Sequence, residues 1–432
     1  MTTYSRQATG PLACERVIRS LGCGDTSAGS RVGTLERLMS RILPVVLLVV
    51  ACDPDRGESN AGAGTGSFAL ATCELPAVAD CEGCLDFELA HRLGETGDDP
   101  GFLVGVTSML RVVRDPRGRY WIGQGEEIKV FDADGAFVAK VGRAGEGPLE
   151  FSAVRLIGVD SNGRVHVLDN RNKRVTALNA DFTLADETSV PGGFVRDMVM
   201  PSRETSTSGR YVLQTWISSL DRVGLALHRL GADGRIVSSF GPRPTSASGP
   251  MTPMLMRREL ALHSNDTVLS ASLSNYVVEA WASDNSRVGK LSGPDLDDGL
   301  RREPGRSTTL DHPPWNRLRD IHIDQEGRLW VMLFYRRTDW EDLVIEKARP
   351  TGELYLEYLQ GPGSVFRTRV EVIDIQACAV RASGWFDHPV VGYFLMDDTE
   401  SGTVAITSLT YSPVGEPFVE VWDIGMGVSR SR

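Results

Sequence analysis

With 432 residues, 41% hydrophobic and 24% charged side chains, the chain has an ordinary globular composition, which excludes disorder, collagen-like repeats and a multi-span membrane protein. Its formal charge of −11 argues against a nucleic-acid partner, because polyphosphate affinity needs clustered Lys and Arg. The 45 glycines and 22 prolines favour many short strands joined by turns.

In chain order, the first informative segment is residues 39–51, where Arg41 precedes an apolar run over 42–51 that ends in the small residue Ala51. A spanning helix needs about 20 apolar residues, so this run reads as a secretory hydrophobic segment instead. Its ending, Val49-Val50-Ala51-Cys52, resembles the lipobox of bacterial lipoproteins. That resemblance implies cleavage before Cys52 and acylation of its thiol. The lipid bilayer would then be a partner, and the chain would be exported and anchored on the periplasmic or cell-surface side. Residues 1–38 are of mixed polarity and would bury this signal deep in the chain, so translation is expected to begin at Met39. Residues 52–84 read as the lipidated cysteine, a glycine-rich flexible tether and a cysteine-containing lead-in.

From there a unit repeats: strand, polar turn, strand, loop, strand, tight turn, strand. Its first turns are Asp115-Pro116-Arg117-Gly118-Arg119, Asp160-Ser161-Asn162-Gly163-Arg164, Ser208-Gly209-Arg210, Ser264-Asn265-Asp266-Thr267, Asp324-Gln325-Glu326-Gly327-Arg328 and Glu400-Ser401-Gly402-Thr403. Each precedes a β-branched or aromatic run, such as Tyr120-Trp121-Ile122 or Leu329-Trp330-Val331-Met332. Second hairpins recur at Asp134-Gly135 and Asp233-Gly234, where glycine supplies positive φ. Six units of about 45 residues or more, with four strands each, predict an all-β six-bladed β-propeller over residues 85–427. The fifth unit carries an insertion at 337–367.

The run from Gly163 to Val175 resembles an NHL repeat in its strand, Asp, Asn and Arg-Val pattern, and 142–151 is similar to that family's glycine-rich linker. The resemblance covers about 111–187 and supports the propeller. Counting strands predicts how the ring closes. The sixth unit offers only three candidates, at 390–396, 403–409 and 418–422, whereas 85–94 has the form of an outermost strand leading to glycine. The N-terminal strand is therefore expected to complete the last blade, removing an open edge.

Four cysteines remain for disulfides in an exported protein: Cys73, Cys81, Cys84 and Cys378. A clasp from Cys378 to Cys81 or Cys84 is expected, with Cys73 taking the remaining partner. Asp132-x-Asp134-Gly135 lacks a calcium loop's twelfth-position carboxylate, having Arg143 there, and the scattered histidines form no metal motif. No metal and no cofactor are expected.

Propeller ligands gather at the central opening, where the loops joining blades and the loops between second and third strands meet. Those loops carry Arg171, Arg174, Arg257, His312, Trp315 and Arg336, which could grip an anionic or sugar-like ligand through guanidinium forks and a stacking ring. The expected function is a non-catalytic binding module for a protein, peptide or glycan. The NHL resemblance implies an alternative, a metal-dependent lactonase, hydrolase or lyase with its site in the channel. Such enzymes use Asp, Glu, Asn or His on the innermost strands. Here 109–113 and 154–159 read as almost wholly apolar, with Asp320 and His322 the exceptions.

Overall fold

The computed structural model describes residues 72–427 except 96–99, 105, 107–109, 202–208, 216–224, 243–256, 264–265, 297–308, 360–362, 389–391 and 398–403. The signal and acylation segments, Cys52 included, lie outside the described residues, as do parts of the expected turns at 208, 264–265 and 400–403.

Six antiparallel sheets form six blades, taken here from inner to outer strand. Blade one is Val112–Arg114, Tyr120–Gln124, Glu127–Phe131 and Phe137–Val141; blade two is Val154–Val159, Val165–Asp169, Arg174–Leu178 and Leu184–Ser189. Blade three is Val195–Val199, Tyr211–Thr215, Leu225–Leu230 and Ile236–Pro242; blade four is Arg258–Leu262, Val268–Ser272, Val277–Trp281 and Arg287–Ser292. Blade five is Arg317–Ile323, Leu329–Arg336, Phe366–Asp374 and Ala379–Phe386; its insertion holds a short 3-10 turn, Trp340–Leu343, and the hairpin Val344–Ala348 with Leu354–Tyr358. Blade six is Gly392–Asp397, Val404–Tyr411 and Pro417–Met426, completed by Leu85–Leu93. Each innermost strand touches that of the next blade, and the sixth touches the first, so the ring is closed.

The period-two pattern explains why the blades stack. In Leu329–Arg336, Leu329, Val331 and Leu333 enter the core shared with blade four, while Trp330, Met332 and Phe334 enter the core shared with blade six. Tyr120 and Ile122 likewise face blade six, and Trp121 between them faces blade two. A strand apolar on both faces needs a sheet on each side, which a ring provides.

Closure follows the expectation. Leu85–Leu93 pairs antiparallel with Pro417–Met426, setting Phe87 opposite Ile424 and Leu93 opposite Val419. Both this strand and Phe137–Val141 end in a left-handed glycine, Gly94 (φ +74°) and Gly142 (φ +84°). A side chain there would strike Leu103 and Phe151 respectively.

Two features depart from expectation. Thr72–Glu74 adds a fifth, parallel strand to blade four, with Cys73 opposite Leu291, and Glu82 then bridges to Ser383 of blade five. The N-terminal segment is thus a strap across the outer edges of blades four, five and six. The disulfides are Cys73–Cys378 and Cys81–Cys84, with Cα separations of 5.9 and 5.7 Å. This corrects the expected clasp from Cys378 to Cys81 or Cys84. The fifth strand brings buried Cys73 to Cys378, and the turn at Gly83 (φ +70°) folds Cys81 and Cys84 onto each other.

Candidate ligand-binding site

The innermost strands are less apolar than their sequence suggested. Arg111 stands just before blade one, Arg155 lies in blade two, Asp197 in blade three, Glu259 in blade four beside Arg257, and Arg319 and Asp320 in blade five. Arg111 Nη2 lies 3.6 Å from Asp197 Oδ1 and 3.6 Å from Asp320 Oδ1, although blades three and five do not adjoin blade one. Only side chains on the axis can reach across the ring in this way. Arg155 Nη2 approaches the same Asp197 oxygen at 3.8 Å, and Arg257 Nη2 holds Glu259 Oε1 at 3.0 Å. From blade six, Phe394 offers its ring to Arg319 and Arg111 at 4.5 and 5.5 Å.

This axial cluster sets four guanidiniums against three carboxylates. Asp197 is well held, accepting from the backbone N–H of Met198 at 2.9 Å and of Leu260 at 2.7 Å. The others are not. Among the described residues, Glu259 Oε2, Asp320 Oδ1 and Arg111 Nε are buried without a hydrogen-bond partner. Burial pushes the Glu259 carboxyl up, helped by Asp197 and Asp320 and opposed by Arg257 and Arg319. Burial also raises Asp320, against the attraction of Arg111. Burial lowers Arg155 to about 10, while Arg111 is raised because Asp197, Asp320 and Glu259 outweigh its desolvation.

A cavity of about 650 Å³ opens between blades one and two and reaches Arg111 and Arg155. Val154, Leu156 and Leu110 line its wall; Val104 and Phe194, 63% and 44% exposed, stand among its lining residues. Local hydrogen bonding explains which polar groups face the opening. Asp169 fastens the linker and its own turn by accepting from the N–H groups of Ser152, Ala153, Arg171 and Asn172. Asn170 bonds both ways with the backbone of Val195, and Asn172 donates to the carbonyl of Gly145. Arg171 alone of this turn leaves its side chain without a partner among the described residues, exposed and lining the cavity.

The sequence-derived set is therefore not one constellation. Arg174 donates to the carbonyls of Glu146, Gly147 and Glu150 and pairs with Glu187, which makes it a clamp on the linker. Arg257 belongs to the axial cluster. Arg336 donates to the carbonyl of Pro314 and stacks on Trp340, Trp315 lies in the loop just before the innermost strand of blade five, and His312 closes a turn with Thr309. Asp320 does sit on the axis. The missed residues, Arg111, Arg155, Asp197, Glu259 and Arg319, each stand in or just before the short innermost strand of blades one to five, a pattern that does not by itself mark a charge as axial. Among the described residues, no three His, Cys, Asp or Glu side chains stand close enough to share a metal ion. Nor is any helix among them long and apolar enough to cross a membrane.

No curated protein sequence matches the chain. Among solved structures it resembles a Bacteroides fragilis protein named for its expected export, at 10% identity and a TM-score of 0.47, covering 83% of this chain and 99% of that one. It also resembles a streptogramin B lyase (10% identity, TM-score 0.36, 79% and 98% covered). A virginiamycin B lyase from Staphylococcus aureus is similar at 11% identity and a TM-score of 0.38, with 78% and 99% covered. The profile of a family described as a 6-bladed beta-propeller matches residues 99–203, in accord with the six blades of the structure.

Proposed function

We propose that the chain is an exported, lipid-anchored propeller that binds an anionic ligand at the mouth of its channel without transforming it. The observation that carries this reading is that two guanidiniums of the axial cluster, Arg111 and Arg155, line an open cavity together with exposed Arg171, whose side chain has no partner among the described residues. A buried surplus of one charge favours any ligand that supplies the other. The anchor rests on the lipobox-like run ending at Cys52. Thermal unfolding of the full chain, titrated with acetate or inorganic phosphate against chloride at matched ionic strength, tests the binding. A saturable rise in Tm that weakens in Arg171→Ala is expected, and identical curves for all three salts reject the reading. Stoichiometric calcium or zinc in the purified protein would instead favour an enzyme at the same mouth.

A further inference from the structure

We infer that the ligand is a monocarboxylate carried on an apolar body, with its carboxylate between Arg111 and Arg155 and its body against Phe194 and the Val154 wall. This inference rests on the anion-binding reading and deepens it. Two guanidiniums converge on one oxygen of Asp197 at 3.6 and 3.8 Å, both longer than a hydrogen bond. Arg111 Nε has no acceptor at all among the described residues. Arg111 is as far from Asp320 as from Asp197, and Arg155 Nη1 donates to the carbonyl of Arg196, so neither guanidinium holds a carboxylate at hydrogen-bond distance, and the pair suits the planar, two-oxygen geometry of that group.

The nature of the rest of the ligand follows from what the walls have left to offer. Gln124 accepts from Val104 N–H at 2.9 Å and donates to Glu127 at 2.8 Å. Asn170 is consumed at both ends by Val195, at 3.1 and 2.9 Å. With both amides already engaged, Ser152 is the one other neutral polar side chain in the described lining, which suits an apolar body better than a sugar. Of the other basic lining residues, Lys140 is held by Glu127 and Arg143 by Glu150, and Glu126 offsets a further charge, so the site suits a single negative charge better than a polyanion. Apart from Arg171, what is left of the lining is mostly apolar: Val154 and Leu156 on the wall, exposed Val104, and Phe194, whose ring is steadied by Arg196 at 4.9 Å. A volume of about 650 Å³ falls within the range of small-molecule sites.

Isothermal titration of the full chain with octanoate and with 3-phenylpropionate provides the test, using acetate, inorganic phosphate and 3-phenylpropionamide as comparison probes. One-site binding at least about tenfold tighter than acetate is expected, with the amide at least about tenfold weaker than its acid. Phe194→Ala, at an exposed position, should abolish the advantage over acetate. Arg155→Gln, checked for native unfolding behaviour, should abolish binding. If acetate and phosphate bind through Arg171 and Arg155 but the larger acids bind no tighter, the inference fails and anion binding stands. An amide that binds as well as its acid also overturns the inference. If no anion binds, both readings fall.

Discussion

Three turns share one device at single-residue scale. Asp115, Asp160 and Asp324 each use one oxygen to accept the N–H groups two and four residues ahead, and the other to bond an aromatic ring N–H six residues ahead. The aromatic residue is Trp121 in blade one, Trp330 in blade five and His166 in blade two. Removing the carboxylate by Asp324→Ala leaves a buried indole N–H without its acceptor and takes from Arg328 one of its two carboxylates, Glu326 remaining, so denaturant unfolding should show a loss of roughly 2–3 kcal/mol. His166 makes the same slot sensitive to pH. Burial holds its imidazole below 6.5, against the pull of Asp160, with Arg210 and Arg164 adding to the depression. Its stabilisation is therefore complete above that ordinary value and lost as the pH falls through the lower folded one. Tm should drop between pH 7 and 5 in the native chain, and less so in His166→Gln; parallel slopes would show that His166 is not the titrating group. The Asp-Gly-Arg spacing made these turns legible in the sequence. The axial Arg155 and Glu259 were not legible, because one charge in a short apolar strand looks the same whether it meets water or the middle of a ring.

At the scale of elements, the strands with strong alternation were readable and the strap was not. Thr72–Glu74 is three residues long and has no period to detect; its place on blade four comes from tertiary pairing and from Cys73–Cys378. Further along, Glu82 ties the strap to blade five by accepting from Arg369 at 2.8 Å, Ser383 Oγ at 2.7 Å and Ala79 N–H at 2.9 Å. Burial works to raise its carboxyl, yet these bonds, led by Arg369, bring it down to about 2. A depressed carboxyl contributes stability that is present above its unfolded value of about 4.5 and lost as the pH falls toward 2. Amide exchange in residues 79–85 should therefore quicken over that window while the blade cores stay protected. Glu82→Gln, which cannot ionise, should show the faster exchange at neutral pH and no acid step; an acid step that survives the substitution assigns the release to another group.

For the whole molecule, the decisive fact is that six inter-blade cores, each shared by two neighbouring blades, form a circuit with no end. A circuit can be opened at one place, and the place where the earliest and latest strands of the ring pair is blade six. There Leu93 is fully buried between blades six and one, held in register opposite Val419. Truncating it removes apolar burial and leaves a cavity, which should cost about 2–5 kcal/mol. Val138, also on an outermost strand but 43% exposed, serves as the comparison: Val138→Ala should stay within about 0.5 kcal/mol of the native chain. If the N-terminal strand is an integral stave of the ring, Leu93→Ala will lower the single unfolding transition as a whole, with far-UV and tryptophan signals moving together. If the strand is only an attached edge, the two signals will separate, an early step for the strand and an unchanged midpoint for the other five blades.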